Sequence, residues 1–426
     1  MQRIIFVLLL LLPIGLFAQD SELYKFLKAI PGAEVQKKDA TSFAEFYVVM
    51  LPQPVDHNNP SGAKFKQRIF VGHRGFDRPV VLETEGYGAQ GVSPKTTVEL
   101  TKLLDANQLF VEHRYFGLST PDPLDWKFLN AEQDAGDYHQ IRQIFGQIYK
   151  GKWIATGVSK GGQTTTEYKV YYPDDVDVSV PYVAPLNYAR LDKRIDKHFK
   201  KVGTSKDRKQ LKDIQNYLLK NKFNVMPIWQ NRAEKAGFKF TFLDAETAYD
   251  YSVLELPFSF WQYTADPAKL EDMKTANAED MANFLFRIVS PYWYTEAAKS
   301  LEPAMYQFYT QLGYYEYDEK PFRKYLKHHD YLNSDFVPAY TPIAWDNSYQ
   351  DKLKKFIKSK PQHMIFIYGE SDPWGATAAK IKTGSGSMKF VKKNGTHGTT
   401  ISTLNETQRK ELISTLEDWL GMKIDL

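Results

Sequence analysis

The chain has 426 residues, of which 43% are hydrophobic and 15% aromatic, a composition typical of a packed globular protein and unlike that of a disordered one. The formal net charge is only +4 and no part of the chain forms a basic domain, so we expect no nucleic-acid partner. Because cysteine is absent, disulfides, cysteine nucleophiles and zinc sites built on thiolates are excluded.

The first 20 residues, MQRIIFVLLLLLPIGLFAQD, have the layout of a secretory signal. Arg3 precedes an apolar run over residues 4–12 that Pro13 interrupts, and Ala18 suits the position before a cleavage site. A membrane anchor is the alternative, but the run is shorter than the roughly 20 residues that a spanning helix needs. We therefore predict a signal peptide over 1–18 and a secreted or periplasmic product with no membrane contact after cleavage.

Short apolar strands alternate with helical stretches at both ends of the mature chain. The stretch 43–73 is β-rich and has a turn at 58–64. Further buried strands and helices follow: strands at 80–83, 109–113, 153–157, 179–187, 364–368 and 388–391, and helices at 131–149 and 404–420. This alternation predicts an α/β fold with a mostly parallel sheet.

The pattern changes over residues 190–345, which are rich in helix formers and aromatic residues. Thr204 and Asp207 fit a capping box that opens a helix. A segment this long exceeds any ordinary loop. We therefore predict an α/β domain in two parts, 19–189 and 346–426, interrupted by a helical lid at 190–345.

The stretch WIATGVSKGG (153–162) contains a G-x-S-x-G pattern between a predicted strand and a predicted helix. This is the signature of a nucleophile elbow, in which the serine occupies a strained turn and the flanking glycines avoid collisions with nearby backbone. The five-residue pattern alone is weak, and an ordinary turn serine is the alternative. Its position between strand and helix favours Ser159 as a nucleophile.

A serine nucleophile needs a base and an orienting acid, which follow it in the order acid, then histidine, in enzymes with this elbow. Asp372 follows the predicted strand 364–368, and His397 lies in a glycine-flanked loop after the strand 388–391. Glu370 competes with Asp372 for the role of the acid. The pattern predicts a triad of Ser159, His397 and Asp372.

An acyl-transfer site also needs hydrogen-bond donors for the oxyanion that develops during attack. One expected donor is the backbone N–H of Lys160, the residue after the nucleophile. The other is expected in the loop after the strand 80–83, from Tyr87 N–H or from its rival Gly88. A plain glycine turn remains the alternative reading of that loop.

Several long strings resemble one known family: VEHRYFGLSTP, LNAEQDAGDYHQI, TGVSKGGQT, YYPDDVDVSVPYVAPLN, ELPFSFWQY and GESDPW. They resemble the secreted bacterial tripeptidyl and tetrapeptidyl aminopeptidases of serine peptidase family 37 and, more distantly, prolylcarboxypeptidase and dipeptidyl-peptidase II. The resemblance implies an α/β-hydrolase fold with a helical lid, the same triad, no metal or cofactor, and peptide substrates cleaved near a free N-terminus, often beside proline.

Such an enzyme must hold the α-ammonium group of its substrate at a fixed distance from Ser159. A partly buried carboxylate suits this role, because a buried cation without a partner is costly. Glu255 and Glu316 are the candidates, with Trp261 and Tyr314 among the aromatic residues beside them. An ordinary salt bridge or an exposed charge is the alternative for each glutamate. The basic stretch 193–209 is expected to be a solvated helix face, and the aromatic residues 292–294 are expected in the core.

Together these features predict a secreted serine exopeptidase that releases tri- or tetrapeptides through an acyl-enzyme, with a preference for proline. A prolylcarboxypeptidase-like or dipeptidyl peptidase and an esterase on the same fold are the alternatives, although the chain lacks the HGGG-type loop of many esterases. A catalytically silent peptide-binding protein is a further alternative, which the order of the triad disfavours. The sequence leaves the oligomeric state and the number of residues released open.

Overall fold

A computed structural model describes residues 20–359, 361–382 and 384–424, so the signal peptide predicted at 1–18 lies outside the described residues. The central feature is a sheet of nine strands in the order β1-β2-β3-β5-β4-β6-β7-β8-β9. The strands are β1 (Glu34–Lys38), β2 (Glu45–Pro54), β3 (Lys64–His73), β4 (Val80–Thr84), β5 (Asn107–Val111), β6 (Trp153–Val158), β7 (Val178–Tyr182), β8 (Ile365–Gly369) and β9 (Met388–Lys392).

The sheet begins antiparallel and continues parallel. β1, β2, β3 and β5 pair antiparallel, whereas every neighbouring pair from β5 through β4, β6, β7 and β8 to β9 is parallel. Apart from the added edge strand β1, this is the strand order of the α/β-hydrolase fold, which confirms the predicted fold class. The carboxyl ends of the parallel strands lie along one edge, where the loops after β4, β6, β8 and β9 meet.

Thirteen α-helices lie within the described residues, and two of them continue into short π-helices at Phe260–Thr264 and Phe308–Leu312. The α-helices are α1 (Glu22–Ala29), α2 (Glu99–Leu103), α3 (Ala131–Phe145), α4 (Lys160–Tyr171), α5 (Lys193–Phe199), α6 (Ser205–Lys220), α7 (Lys222–Lys235), α8 (Ala245–Ser259), α9 (Pro267–Glu271), α10 (Ala278–Ile288), α11 (Glu302–Gln307), α12 (Ser348–Lys358) and α13 (Glu406–Leu420).

Helices cover both faces of the parallel strands, which explains why most residues of these strands are buried and many are apolar. Every residue of β4, β5, β7 and β8 is buried. On one face Tyr138 and Ile141 of α3 pack against Leu82 and Leu109. On the other face α13 contributes a second apolar cluster that contains Leu412 and Leu416. Strands buried on both faces read as continuous apolar runs, as the sequence predicted.

The chain between β7 and α12 is mostly helical, and its buried residues, such as Trp229 and Tyr249, form one apolar cluster with Phe366 and Tyr368 of the sheet. Its helix α6 begins at the predicted capping box, in which Thr204 accepts from the backbone N–H of Asp207 while the Asp207 carboxylate accepts from that of Thr204. This region stands above the carboxyl edge of the sheet, because residues from both line one cavity.

Several local predictions differ from the structure. The strand expected at 109–113 is β5, which ends at Val111, and the helix expected at 131–149 is α3, which ends at Phe145. The strand expected at 179–187 ends at Tyr182, because Val183 adopts a left-handed φ of 43° that breaks the extended backbone. The edge strand β1 was not predicted, since its sequence EVQKK is polar and exposed. No helix within 20–359, 361–382 or 384–424 is long and apolar enough to cross a membrane.

Candidate active site

Ser159 occupies the sharp turn between β6 and α4. Its backbone has φ 59° and ψ −122°, a conformation that costs free energy in a residue with a side chain. A Cβ at Gly157 would lie 2.4 Å from the carbonyl carbon of Gly161, and one at Gly161 would lie 2.6 Å from the carbonyl oxygen of Thr84. Both glycines are therefore required for the close packing of this turn, as the motif predicted, and the turn presents Ser159 to a cavity.

Asp372 and His397 lie in the loops after the neighbouring strands β8 and β9. The Asp372 side chain is fully buried, and its Oδ2 lies 2.6 Å from Nδ1 of His397. The His397 loop is anchored to the helical region, because the backbone N–H of His397 donates to the carbonyl of Gln262 at 2.8 Å. The competing acid Glu370 is exposed, and its carboxylate accepts from the backbone N–H of Asn394 instead.

His397 lines the same cavity as Ser159. Within the described part of the chain its buried Nε2 has no hydrogen-bond partner, Ser159 included. Catalytic hydrogen bonds often become short only when substrate is bound. The arrangement thus combines an alcohol on a strained turn with an imidazole that is oriented by a buried carboxylate and has one nitrogen free.

The two loops expected to supply oxyanion donors lie against each other. Lys160 is the first residue of α4, where a backbone N–H has no acceptor within the helix. Gly86 packs on this position, since a Cβ there would lie 2.6 Å from the nitrogen of Gly161 and 2.7 Å from Cβ of Lys160. Tyr87 and Lys160 line the cavity, whereas Gly88 is absent from the described residues that line it.

The cavity has a volume of about 290 Å³ and extends from Ser159 into the helical region. Glu255 lies in its wall with only 5% of its surface exposed. Its two carboxylate oxygens accept hydrogen bonds from Ser259 Oγ at 2.9 Å and from the Tyr315 hydroxyl at 2.6 Å. Burial raises the pKa of Glu255 to about 7, although hydrogen bonds from Tyr315, Ser259 and Tyr317 oppose this effect.

Comparison with known proteins identifies the family of the chain. Residues 19–425 match the model of the PS-10 peptidase family S37. The chain belongs to serine peptidase family S37. The peptidase is 30% identical to a prolyl tri/tetrapeptidyl aminopeptidase from Streptomyces mobaraensis over 415 residues, which span 95% of this chain and 86% of that relative.

Two further likenesses are more distant. The peptidase is 25% identical to a probable serine protease from Arabidopsis thaliana over 240 residues, which cover 51% of this chain and 47% of that protein. Among solved structures, a proline iminopeptidase from Mycobacterium smegmatis is 12% identical with a TM-score of 0.39, over 83% of this chain and 96% of that one.

The structure separates the residues expected to bind substrate into two groups. Glu255 and Tyr314 line the cavity of the peptidase that contains Ser159. Glu316 and Trp261 instead line a neighbouring cavity of about 670 Å³. Glu316 already accepts hydrogen bonds from the Tyr309 hydroxyl and from the backbone N–H of Asn333. Glu255 is therefore the candidate that shares a cavity with the nucleophile.

Sequence reasoning did not find several residues around the site of the peptidase. Trp293 and Tyr294 were expected in the core, and Tyr294 is buried there, but both also line the cavity. Tyr315 and Tyr317 were not singled out, although their phenols face Glu255. Tyr315 and Glu255 are 60 residues apart in the chain, so no local sequence pattern predicts their hydrogen bond. The basic stretch 193–209 forms part of α5 and α6, and Lys193, Lys200, Arg208 and other residues from it line the second cavity.

Proposed function

We propose that this serine exopeptidase releases tri- and tetrapeptides from the free N-termini of peptides, with Ser159 as nucleophile and Glu255 as the anchor for the substrate's α-ammonium group. The name of the Streptomyces relative supports this substrate class. The observation that carries the proposal is the buried Glu255 carboxylate in the same cavity as Ser159 and His397.

The proposed reaction follows the acyl-enzyme route. Ser159 Oγ attacks the carbonyl carbon of the scissile bond while His397 Nε2 accepts the hydroxyl proton. Asp372 holds the imidazole through Nδ1 and stabilises its charged form. The oxyanion accepts hydrogen bonds from the backbone N–H groups of Lys160 and Tyr87. His397 then protonates the leaving amine, and water releases the N-terminal peptide from Ser159.

Glu255 suits the role of anchor because its charged form lacks a cation. In the described residues its carboxylate has hydrogen bonds only from hydroxyl groups, and burial raises its pKa. A substrate ammonium group would supply the missing positive charge and stabilise the carboxylate. The number of substrate residues that fit between Glu255 and Ser159 then fixes how many residues are released. The cavity, at about 290 Å³, lies at the small end of the roughly 300–1,000 Å³ typical of small-ligand sites, which suits a short peptide.

The aromatic wall of the cavity accounts for a preference for proline. Phe258 stacks on Tyr315 with ring centroids 3.8 Å apart, and Trp374 meets Phe258 edge-on at 5.1 Å. These rings and Tyr314 offer flat apolar faces beside Ser159. A pyrrolidine ring buries its apolar surface on such faces without losing side-chain rotamers, so it packs at little entropic cost.

The charges of the cavity favour an aminopeptidase over a carboxypeptidase-like enzyme. A carboxypeptidase needs a cation for the C-terminal carboxylate of its substrate. Among the described lining residues, Lys160 is the only lysine or arginine, and its ammonium group is directed to His113. Glu255 would repel a carboxylate.

Mass spectrometry of the products from a mixed peptide library tests the proposal. We expect N-terminal tri- and tetrapeptides, enriched in proline at the cleaved position, and much slower cleavage of N-acetylated copies. Fragments released from the C-terminal end would overturn the proposal and favour a carboxypeptidase. Faster hydrolysis of a short aryl ester than of Ala-Ala-Pro arylamide would favour an esterase.

We also propose that the peptidase is exported. The support is the sequence of residues 1–18, with a basic start, an apolar stretch and Ala18 before the expected cleavage site. N-terminal sequencing of the protein from the culture medium or periplasm should begin at Gln19. Recovery of the uncleaved chain in the cytoplasm would contradict export.

A further inference from the structure

Lys160, the residue after the nucleophile, carries a buried ammonium group. Only 1% of the residue is exposed, and its Nζ lies 5.9 Å from the ring centroids of both Tyr87 and Phe116. Its Nζ lies 3.2 Å from Nε2 of His113. The side chain therefore runs from the nucleophile elbow beneath the loop of Tyr87, and Gly86 of that loop packs on its Cβ.

His113 links the Lys160 ammonium group to the Tyr87 loop. Its Nδ1–H donates to the carbonyl of Arg114 at 2.8 Å, and its Nε2 lies 3.2 Å from Nζ of Lys160. The backbone N–H of His113 donates to the carbonyl of Tyr87 at 3.2 Å. One residue thus contacts the side chain of Lys160 and the carbonyl of Tyr87, which lies one peptide group after the Tyr87 N–H.

Acidic groups surround this cation without forming a simple pair with it. Asp134 Oδ2 lies 3.2 Å from His113 Nε2. Glu167, seven residues along α4, is fully buried, and neither of its oxygens has a hydrogen-bond partner in the described residues. Burial lowers the pKa of Lys160, while Asp134, Glu167 and Glu85 raise it. An apolar side chain would occupy this site at a lower cost of desolvation, so stability alone does not account for the lysine.

We propose that the side chain of Lys160 is a positioning residue for the oxyanion hole: through His113 it fixes the distance between its own backbone N–H and that of Tyr87. This inference rests on the catalytic roles proposed above for Ser159 and for the two amides. Oxyanion donors act only when they lie about 2.7–3.1 Å from the oxyanion, and an error near 1 Å can cost about 100-fold in rate.

The test uses Lys160→Met, which keeps the unbranched stem and removes the ammonium group. Because this variant leaves the buried Glu167 carboxyl without its neighbouring cation, the double variant Lys160→Met/Glu167→Gln replaces that carboxyl with a neutral amide; burial already raises the pKa of Glu167 to about 8. Glu167→Gln alone is the matched control, since Glu167 has no hydrogen bond to either loop in the described structure. His113→Gln is a further variant that keeps the lysine and replaces the imidazole that contacts its ammonium group.

Hydrolysis of Ala-Ala-Pro arylamide gives kcat and KM, and circular dichroism gives Tm. We expect the double variant to lose at least 10-fold in kcat, with KM changed less than threefold and Tm close to that of the wild type, and Glu167→Gln to keep kcat within threefold. Folded His113→Gln should lose about threefold or more in kcat. Reduced labelling of Ser159 by a fluorophosphonate, whose phosphoryl oxygen uses the same donors, should accompany each loss.

Wild-type kcat in the double variant, or in folded His113→Gln, would overturn the inference. An equal loss in Glu167→Gln would also overturn it, because the effect would then belong to the whole charge cluster. Ser159→Ala separates this result from a failure of the proposed function. If Ser159→Ala is inactive while the double variant is fully active, only the role of the Lys160 side chain is wrong.

Discussion

The Asp372 carboxylate and the His397 imidazole are 2.6 Å apart across the ends of two neighbouring parallel strands. The contact orients the ring through Nδ1, and the buried Nε2 has no hydrogen-bond partner among the described residues. Asp372 is fully buried and also accepts from the backbone N–H of Trp374. A carboxylate with this second hydrogen bond is held in place independently of the histidine, so it can fix the ring orientation.

Asp372→Asn should therefore remove most of the activity without unfolding the protein. An amide of the same shape can bond the wrong tautomer of His397, and we expect kcat to fall about 10³- to 10⁴-fold. The matched control is Glu370→Gln, which alters the competing acid and should keep kcat within threefold. Steady-state hydrolysis of Ala-Ala-Pro arylamide measures both. A larger loss of kcat in Glu370→Gln than in Asp372→Asn would assign the orienting role to Glu370.

Glu255→Gln should weaken the recognition of free N-termini. A hydrogen bond to a charged group contributes about 1.5–3 kcal/mol, so kcat/KM for a free peptide arylamide should fall about 10- to 100-fold. Its N-acetylated copy should be hydrolysed slowly and equally by both enzymes. Glu316→Gln is the control, because Glu316 lies on the neighbouring cavity. A larger fall in kcat/KM in Glu316→Gln than in Glu255→Gln would assign the binding of the ammonium group to Glu316.

The same carboxylate should give the aminopeptidase activity a distinctive pH dependence. The pKa of Glu255 in the free enzyme is raised to about 7, so below that pH the group is neutral and cannot pair with an ammonium group. The ratio of kcat/KM for free and acetylated peptides should rise as the pH increases through about 7. Taking the ratio cancels the titration of groups common to both reactions. In Glu255→Gln the ratio should no longer depend on pH in this range; a dependence that persisted would contradict the assignment.

Gly86→Ala should disrupt the oxyanion hole by separating its two loops. The added methyl group would collide with the backbone of Gly161 and the stem of Lys160, at 2.6 Å and 2.7 Å. We expect kcat to fall at least 100-fold, in keeping with the loss of an oxyanion donor. Gly91→Ala in the same loop is the control, because no atom lies within 4 Å of its added methyl. Equal activity of the two variants would show that the contact at Gly86 is dispensable.

The sequence was sufficient for the sheet and for the order of the proposed triad, because both depend on local patterns. The parallel strands are short runs; β4, β6, β7 and β8 are almost wholly buried and largely apolar, whereas β9 is partly exposed. Ser159, Asp372 and His397 each follow one of these runs, and the carboxyl ends of parallel strands share an edge. Glycines on both sides of Ser159 added a steric requirement that can be recognised in five residues.

The wall of the cavity could not be predicted in the same way. Glu255 and Tyr315 come from separate parts of the helical region and meet only through its tertiary packing. Within GYYEYD the neighbouring residues Tyr315 and Glu316 differ in the cavities that they reach: Tyr315 lines both cavities, whereas Glu316 lines the second. Helical periodicity does not describe such a segment, so the sequence left Glu255 and Glu316 equivalent.

The most direct test of the account is covalent labelling of the nucleophile. After reaction with a fluorophosphonate, intact-mass spectrometry of the peptidase should show one adduct, and peptide mapping should place it on Ser159. Labelling and hydrolysis of Ala-Ala-Pro arylamide should disappear together in Ser159→Ala. An adduct on another residue, or peptidase activity that survives in Ser159→Ala, would contradict the proposed catalytic site.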